Sequence, residues 1–514
     1  MHTTKSENED VEDKSPQPSP TSQILKSRRE YTETTLSETE ETKPQERKEI
    51  EIPCPPQGTL NEVITNGIIL FLLWSVAWSF SGSEVLPGGN LFGLLIIFYC
   101  SLLGGKLLEV IKIPSVPQLP PLLGMLLGGF TVRNIPFISE HININSVWSS
   151  TLRNAALTII LIQAGLGLDP KALQHLKRVC LRLSMGPCLV EACSAALFSH
   201  LFMEFPWQWA FLLGFPFSFV LGAVSPAVVV PSMLLLQEQG YGVEKGIPTL
   251  LVAASSVDDI VAITGFNVCM SIVFSSGDLL NTLLNSFWEV ILGVLLGVAL
   301  GIFAQYFPSR DQTKLEWKRA FLILGLCVSA VLGSHRAGLH GAGGLCTLLL
   351  TFLAGLKWSK EKIRVQKIIA GTWKVFQPLL FGLVGAEVSV LSLRENSIGT
   401  CVATVSLALL VRICATFFLM SFAGFSFKEK IFIALSWMPK ATVQAVLGPL
   451  ALETARVVAP HLEDASRDVM TTAFLAILIT APNGALIIGL LGPKILTRAD
   501  PRLYKSSIDL AIAH

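Results

Sequence analysis

The sequence predicts an all-α membrane protein of about 14 transmembrane helices, arranged as two inverted seven-helix repeats that each contain one interrupted helix. Three observations carry this prediction. Of the 514 residues, 51% are hydrophobic and only 15% are charged, whereas soluble domains average about 25% charged residues. Apolar stretches of membrane-spanning length follow one another from residue 60 to residue 493. Two of these stretches, seven segments apart, contain a proline beside polar residues.

The first 59 residues differ from the rest in composition. They hold 8 basic and 13 acidic residues, 21 of the 77 charged residues in the chain. A segment so polar buries too little apolar surface to fold, so we expect a disordered cytoplasmic tail. It has no apolar core of the kind that marks a signal peptide. Because no basic stripe occurs in the chain, we expect no nucleic-acid partner.

Fourteen apolar segments make up the predicted transmembrane domain, residues 60–493. The third and tenth are short, and thirteen spans result if one of them is re-entrant. The segments are 60–82, 90–111, 117–132, 150–167, 179–203, 206–236, 246–275, 283–305, 319–335, 342–356, 372–390, 398–423, 429–451 and 468–493.

The distribution of basic residues favours the higher count. With fourteen alternating spans and the N-terminus inside, 20 Lys and Arg residues fall on the cytoplasmic side and 6 on the outer side. This is the bias that the positive-inside rule describes. It predicts that both termini are cytoplasmic, including a C-terminal tail of residues 494–514.

The two interruptions occupy the sixth and thirteenth segments. The sixth contains Ser225-Pro226, and the thirteenth contains Pro439-Lys440. An internal proline removes a backbone donor and breaks the helix. The freed backbone groups can bind ions where they line a cavity. An odd number of helices per half inverts the halves, which is typical of secondary transporters.

Ionisable residues deep in apolar segments are costly and therefore functional candidates. They are Glu191, Asp258, Asp259, Arg412 and Lys440, with Glu387 near an outer helix end as a sixth. Asp258 and Asp259 point about 100° apart on a helix, so they face different neighbours. Carboxylates are ligands that hard cations prefer. One carboxylate that holds either a proton or a cation is enough to couple the two fluxes.

The basic residues allow several pairings. Lys440 either neutralises the carbonyl ends of the broken helices or pairs with Asp258. Glu191 and Arg412 lie in the fifth and twelfth segments, which correspond in a seven-helix repeat, so we expect them to form an ion pair.

At these residues the chain closely resembles the NHA-type sodium/proton exchangers, subfamily B of the sodium/hydrogen exchanger family, which are related to bacterial NapA and NhaA. The resemblance covers about residues 53–494. Its most specific stretches are LPGGNLFGL at 86–94, VLGAVSPAVVVP at 220–231, VDDIVAITGFN at 257–267, LHGAGGLCTL at 339–348 and FSFKEKIFIALSWMPKATVQAVLGPLALETARV at 425–457.

The resemblance implies a secondary active transporter, not an enzyme, that exchanges Na⁺ for H⁺ and regulates intracellular pH and sodium. It also implies Li⁺ exchange, no cofactor, a homodimer in the lipid bilayer, and elevator-like motion of a core subdomain against a dimer subdomain. The family includes a sperm-associated member, which this chain resembles more. We expect the plasma membrane, for which the sperm flagellar membrane is one candidate, with an intracellular organelle membrane as the alternative.

The resemblance also implies roles for single residues. Asp258 and Asp259 match the ion-binding aspartates, and Val224 matches a position that offers its backbone carbonyl to sodium. Ser255 stands where relatives have Gly and adds a hydroxyl ligand or crowds the site. The other matched positions are the paired acid and the two basic residues of the core subdomain, Glu191, Arg412 and Lys440.

One departure from the family pattern is the extra segment Pro216–Phe219, which precedes the first interruption. About one helical turn is added there, which would rotate or bulge the sixth segment. Two other functions remain open: a sodium-coupled organic anion symporter of similar fold, and a scaffold that the insertion has made inactive in transport. Adjacent midplane aspartates disfavour the symporter because they repel an anion.

Overall fold

The computed structural model describes residues 58–111, 119–142, 144–168, 170–203, 219–273, 279–339, 342–390 and 395–498. The chain divides into two units, Met1–Leu72 and Leu73–His514. In the first unit the described residues form the beginning of helix α1, Thr59–Ser81. The predicted N-terminal tail lies outside the described residues up to residue 57, and the C-terminal tail lies outside them from residue 499.

All the other helices belong to the second unit, and its described residues contain no β-strand, only one isolated bridge. Their bounds are α2 Asn90–Val110, α3 Pro121–Asn134, α4 Pro136–Ser139, α5 Ser146–Gly167, α6 Pro170–Met203, α7 Pro226–Glu238, α8 Ile247–Val273 and α9 Leu279–Tyr306. The later helices are α10 Leu315–Arg336, α11 Ala342–Lys357, α12 Ser359–Glu387, α13 Glu395–Met420, α14 Phe427–Ser436, α15 Thr442–Val458 and α16 Glu463–Ile495.

The helical membrane fold confirms the predicted fold class. Within the described residues, nine helical stretches are long and apolar enough to cross a membrane. Each of the fourteen predicted segments contains helix, but the number fourteen stays a prediction, because several of these helices are too short or too polar to count by themselves.

Two helices begin well before the predicted apolar segments. α6 begins at Pro170 rather than at residue 179, and α12 begins at Ser359 rather than at residue 372. Both additional stretches carry several Lys and Arg residues. A hydropathy pattern detects only the apolar part of a helix, so polar turns that extend beyond it are missed.

Helix packing in the second unit falls into two groups. The first, which we name the site bundle, contains α6, α7, α8 and α13–α16, with α6 packed on α13 and α15 on α16. The second bundle contains α2, α3, α5 and α9–α12, with α9 packed on α11 and α3 on both α2 and α12. All five ionisable candidates deep in the predicted segments lie in or beside helices of the site bundle.

Close backbone contacts hold the second bundle together. A Cβ atom added to Gly385 of α12 would lie 2.1 Å from the carbonyl oxygen of Leu126 in α3. Lipid tails are as apolar as side chains, so helices in a membrane associate through close packing at small residues rather than through the hydrophobic effect. Glycine is therefore required at this crossing.

Candidate ion-binding site

Both predicted helix interruptions are present, and they contact each other. Residues 223–225 separate a helical turn at 219–222 from α7, and residues 437–441 separate α14 from α15. Pro226 is the first residue of α7, where the missing N–H would have no partner in any case. Where the two interruptions cross, the backbone N–H of Ser225 in the first donates to the carbonyl of Pro439 in the second at 2.8 Å.

The first interruption frees four carbonyl groups, and buried side chains from the second half of the chain satisfy them. A helix C-terminus leaves its last carbonyls without intrahelical donors. The carbonyls of residues 220–223 accept, in order, from Gln444, Lys440, Arg412 and again Gln444. The distances from Gln444 Nε2 are 2.7 Å and 2.9 Å. In the described part of the chain, the next carbonyl, that of Val224, accepts no hydrogen bond.

Asp258, in α8, faces this interruption. Its Oδ2 accepts from the backbone N–H of Val224 at 2.7 Å and lies 3.1 Å from Nη2 of Arg412. Its Oδ1 is buried and has no hydrogen-bond partner among the described residues. One oxygen is therefore fixed by the protein, and the other is available to a proton or a cation.

Asp259 faces a different environment, as the 100° step predicts. The residue is 1% exposed, and within the described residues neither of its carboxylate oxygens has a hydrogen-bond partner. An ionised carboxylate is very costly to bury without compensation. Asp259 is thus the acid in this site with the greatest need of a proton or a metal cation.

Glu191 joins the two basic residues. Its Oε2 accepts from Nη1 of Arg412, and its Oε1 lies 2.7 Å from Nζ of Lys440. The expected Glu191–Arg412 pair is therefore present. The alternative in which Lys440 pairs with Asp258 is wrong in this structure, because Lys440 pairs with Glu191 and with a freed carbonyl. Asp258 pairs with Arg412 instead.

The charges of the site do not cancel. Glu191, Asp258 and Asp259 contribute −3 when ionised, and Arg412 and Lys440 contribute +2, which leaves −1 among groups that are 0–1% exposed. Buried charges are tolerated when they are paired. One additional positive charge, a proton or a monovalent cation, would complete the balance.

Two departures from the family pattern are Ser255 and the inserted segment Pro216–Phe219, which precedes the first interruption. The hydroxyl of Ser255 donates to the carbonyl of Val252 in the same helix at 3.0 Å, so its donor is used within α8. Of the inserted segment, residues 216–218 lie outside the described residues. Phe219 begins the helical turn before the interruption and is buried against Gly265 of α8, where an added Cβ would lie 2.6 Å from its ring.

Glu387, the sixth ionisable candidate, is not in this site. It lies at the end of α12, in the second bundle, 3.7 Å from Arg153 of α5. Arg153 is 2% exposed and also pairs with Glu453 of α15. This cluster connects the second bundle to the site bundle through α15.

A cavity of about 600 Å³ lies between the two bundles. On the site-bundle side it is lined by Pro226 and Thr442, which flank the interruptions, and by Ser256 of α8. Gln163 and Lys374 line it on the side of the second bundle. The cavity therefore reaches the edge of the crossing.

Sequence reasoning missed Gln444. It is fully buried, and its amide donates to two of the four freed carbonyls. The available signal was an uncharged amide four residues after Lys440, in the otherwise apolar stretch 443–452. Thr480 of α16 was also missed; its hydroxyl accepts from the backbone N–H of Lys440 at 2.9 Å.

Buried charges at the crossing of two broken helices, in an all-helical membrane fold, define an ion-coupled secondary transporter. The comparisons with known proteins agree. Residues 94–491 match the family described as sodium/hydrogen exchanger, transmembrane. The chain therefore belongs to the sodium/hydrogen exchanger family.

Its relatives include sodium/hydrogen exchanger 9B1 of Homo sapiens, 66% identical over 519 residues that span both chains completely. The 9B1 protein of Mus musculus is 69% identical over 87% of this chain and 78% of its own. Sodium/hydrogen exchanger 9B2 of Homo sapiens is 60% identical over 87% of this chain and 83% of its own.

A solved structure shares the fold at low sequence identity. The sodium proton antiporter MjNhaP1 from Methanocaldococcus jannaschii at pH 8 superimposes with a TM-score of 0.62 and 18% identity, over 78% of this chain and 97% of its own. The likeness supports the fold alone.

Proposed function

We propose that the protein is a sodium/proton antiporter that exchanges Na⁺ for H⁺ across a membrane by alternating access, as a secondary active transporter with no cofactor. The observation that carries this proposal is the uncompensated negative charge of the buried site. A site that lacks one positive charge accepts either a proton or a sodium ion, and electrostatic repulsion disfavours both together. Competition for the same carboxylates is the minimum that exchange requires.

The roles follow from the contacts. Asp259 holds the proton or the cation, since its oxygens have no hydrogen-bond partner among the described residues. Asp258 supplies its Oδ1 and Val224 supplies its carbonyl as a third oxygen, since neither accepts a hydrogen bond from the residues that the structure describes. Ser255 is a further oxygen ligand through its lone pairs. Li⁺ shares the preference for hard oxygen ligands and is exchanged as well.

The paired residues position these ligands. Arg412 and Lys440 donate hydrogen bonds to freed carbonyls of the first interruption. Glu191 pairs with both of these basic side chains and so fixes their positions. Their net charge of +1 makes the site less negative than the two aspartates alone. A weaker cation affinity permits release, which transport needs as much as binding.

Alternating access exposes the site by motion of the site bundle against the second bundle, with the cavity between them as one entry path. We propose two subdomains: a core subdomain that carries the site, and a dimer subdomain through which two copies of the protein form a homodimer. We propose that both termini are cytoplasmic and that the protein lies in the plasma membrane, with the sperm flagellar membrane as one candidate and an intracellular organelle membrane as the alternative.

The deciding experiment uses purified protein in liposomes with an internal pH dye. An imposed Na⁺ gradient should move protons in the opposite direction, and Asp259→Asn should abolish the signal. Asp464→Asn is the matched control, because Asp464 is 80% exposed and lies outside the site. No sodium-dependent pH change in the wild type would overturn the proposal and favour an inactive scaffold. Sodium-driven uptake of an organic anion would favour the symporter.

A further inference from the structure

Gln444 spans the two interruptions. It lies in the first turn of α15, after the second interruption, and its amide nitrogen donates to Val220 O and Ala223 O at the first. Both hydrogens of the amide are thereby used. The amide oxygen is buried and has no partner among the described residues, so the two carbonyls alone set the orientation of the group.

The two carbonyls that Gln444 occupies shortly precede the proposed ion ligand Val224 in the sequence. Ala223 directly precedes Val224, whose N–H donates to Asp258 and whose carbonyl accepts no hydrogen bond from the described residues. If Gln444 did not hold them, Val220 O and Ala223 O would be additional buried acceptors beside the site. Unsatisfied buried carbonyls seek a donor or a cation.

We propose that Gln444 is a positioning residue that determines cation selectivity, because it withholds two backbone carbonyls from the transported ion. Selectivity among alkali cations depends on the number, field strength and mobility of the coordinating oxygens. By fixing the turn at residues 220–223, the amide keeps the site small and poor in ligands, which favours Na⁺ and Li⁺ over K⁺. The inference rests on the proposed function and specifies its substrate range.

The test compares Na⁺, Li⁺ and K⁺ as substrates in liposomes for Gln444→Met, which keeps the size of the side chain and removes its donors. Without the amide the turn at residues 220–223 is no longer fixed and the site is larger and less well matched to Na⁺, so the KM for Na⁺ should rise about tenfold. We expect a similar loss of the preference for Na⁺ over K⁺, with a smaller change in kcat. Gln444→Asn keeps the amide but reaches one carbonyl at most, so its selectivity should lie between that of Gln444→Met and the wild type.

Gln366→Met is the matched control. Gln366 also donates its amide to a carbonyl in the last turn of a helix, Leu166 O of α5, at 2.8 Å, but in the second bundle. This variant should keep the wild-type preference for Na⁺. Unchanged selectivity in Gln444→Met, or an equal change in Gln366→Met, would overturn the inference.

Two further outcomes are informative. If Gln444→Met does not fold, Gln444→Asn decides: the inference requires it to lose part of the preference for Na⁺, and wild-type selectivity refutes it. Thermal shifts of the purified protein with each cation provide the same comparison for binding without transport. A wild type without any sodium-dependent proton movement overturns the antiporter proposal itself, whereas an active wild type with unaltered Gln444 variants overturns only this inference.

Discussion

Arg412 and Asp258 form an ion pair inside the membrane domain, with Nη2 of the arginine 3.1 Å from Oδ2 of the aspartate and both side chains 0% exposed. The same guanidinium also contacts Glu191 and donates to the carbonyls of Gly222 and Trp437. One side chain thus joins two acids on separate helices to both interruptions. The planar guanidinium has five donors in a fixed arrangement, which suits acceptors that lie on several sides.

We expect Arg412→Lys to destabilise the protein although it keeps the charge. An ammonium is a single point with three donors, and it cannot reach four acceptors that surround a guanidinium. Breaking part of a buried ion-pair network should cost about 3 kcal/mol of the free energy of unfolding, measured by denaturation in detergent. The control is Arg467→Lys, whose partners Glu463 and Asp464 are 34% and 80% exposed, with a cost of about 1 kcal/mol or less. Equal losses in the two variants would show that the network around Arg412 is unimportant.

Substitution of either aspartate should abolish transport, but the two substitutions should differ in their effect on stability. Asp258→Asn removes the negative partner of Arg412 and should lower the melting temperature. Asp259→Asn removes a charge that has no hydrogen-bond partner among the described residues, so it should leave the melting temperature unchanged or raise it. Both variants should lose sodium-dependent proton movement in liposomes. The assignment is wrong if Asp259→Asn is the less stable of the two.

Glu191 and Arg412 should show strong energetic coupling. Because they are in direct contact, the losses of stability in Glu191→Ala and Arg412→Ala should not add in the double variant. The coupling should be on the order of 1–3 kcal/mol, from unfolding curves of the wild type, the two single variants and the double variant. Strictly additive losses would argue against the contact.

Two glycines of α12 should respond oppositely to alanine. Gly385→Ala places a Cβ 2.1 Å from Leu126 O, and this backbone overlap should cost about 1–3 kcal/mol of stability. Gly371→Ala adds a Cβ with no atom within 4 Å and should be neutral or stabilising by up to ~1 kcal/mol through helix propensity. Melting temperatures in detergent check both, and a tolerated Gly385→Ala would mean that α3 and α12 do not approach so closely.

The breaks at Pro226 and Pro439 were predictable because each proline lies beside a polar residue within an apolar segment and the two segments are seven apart. Pro187 and Pro449 have no such neighbour and lie inside continuous helices. The buried charges were equally visible, since an ion in a membrane helix stands out against its neighbours.

The Glu191–Arg412 pair was predictable from the corresponding positions of the two segments, but the partners of Asp258 and Lys440 were not. These partners depend on how far each helix is rotated about its axis, which is fixed only by packing. As a result, Asp258 pairs with Arg412 rather than with Lys440.

Gln444 was missed for a different reason. An uncharged amide has no signal in hydropathy or in charge counting, and its importance arises only when another break brings unsatisfied carbonyls within reach. In general, a residue that satisfies backbone groups of a distant segment cannot be recognised from the sequence around it.

The carbonyls of residues 220–223 depend on donors that lie 190 to 224 positions later in the chain. Synthesis proceeds from the N-terminus, so the first half enters the membrane before Arg412, Lys440 and Gln444 exist. During that interval, the freed carbonyls and the carboxylate of Glu191 lack these partners, and Asp258 has the backbone N–H of Val224 but not Arg412. The nascent chain must therefore keep this region in contact with water, with the insertion machinery or with a chaperone until the second half arrives.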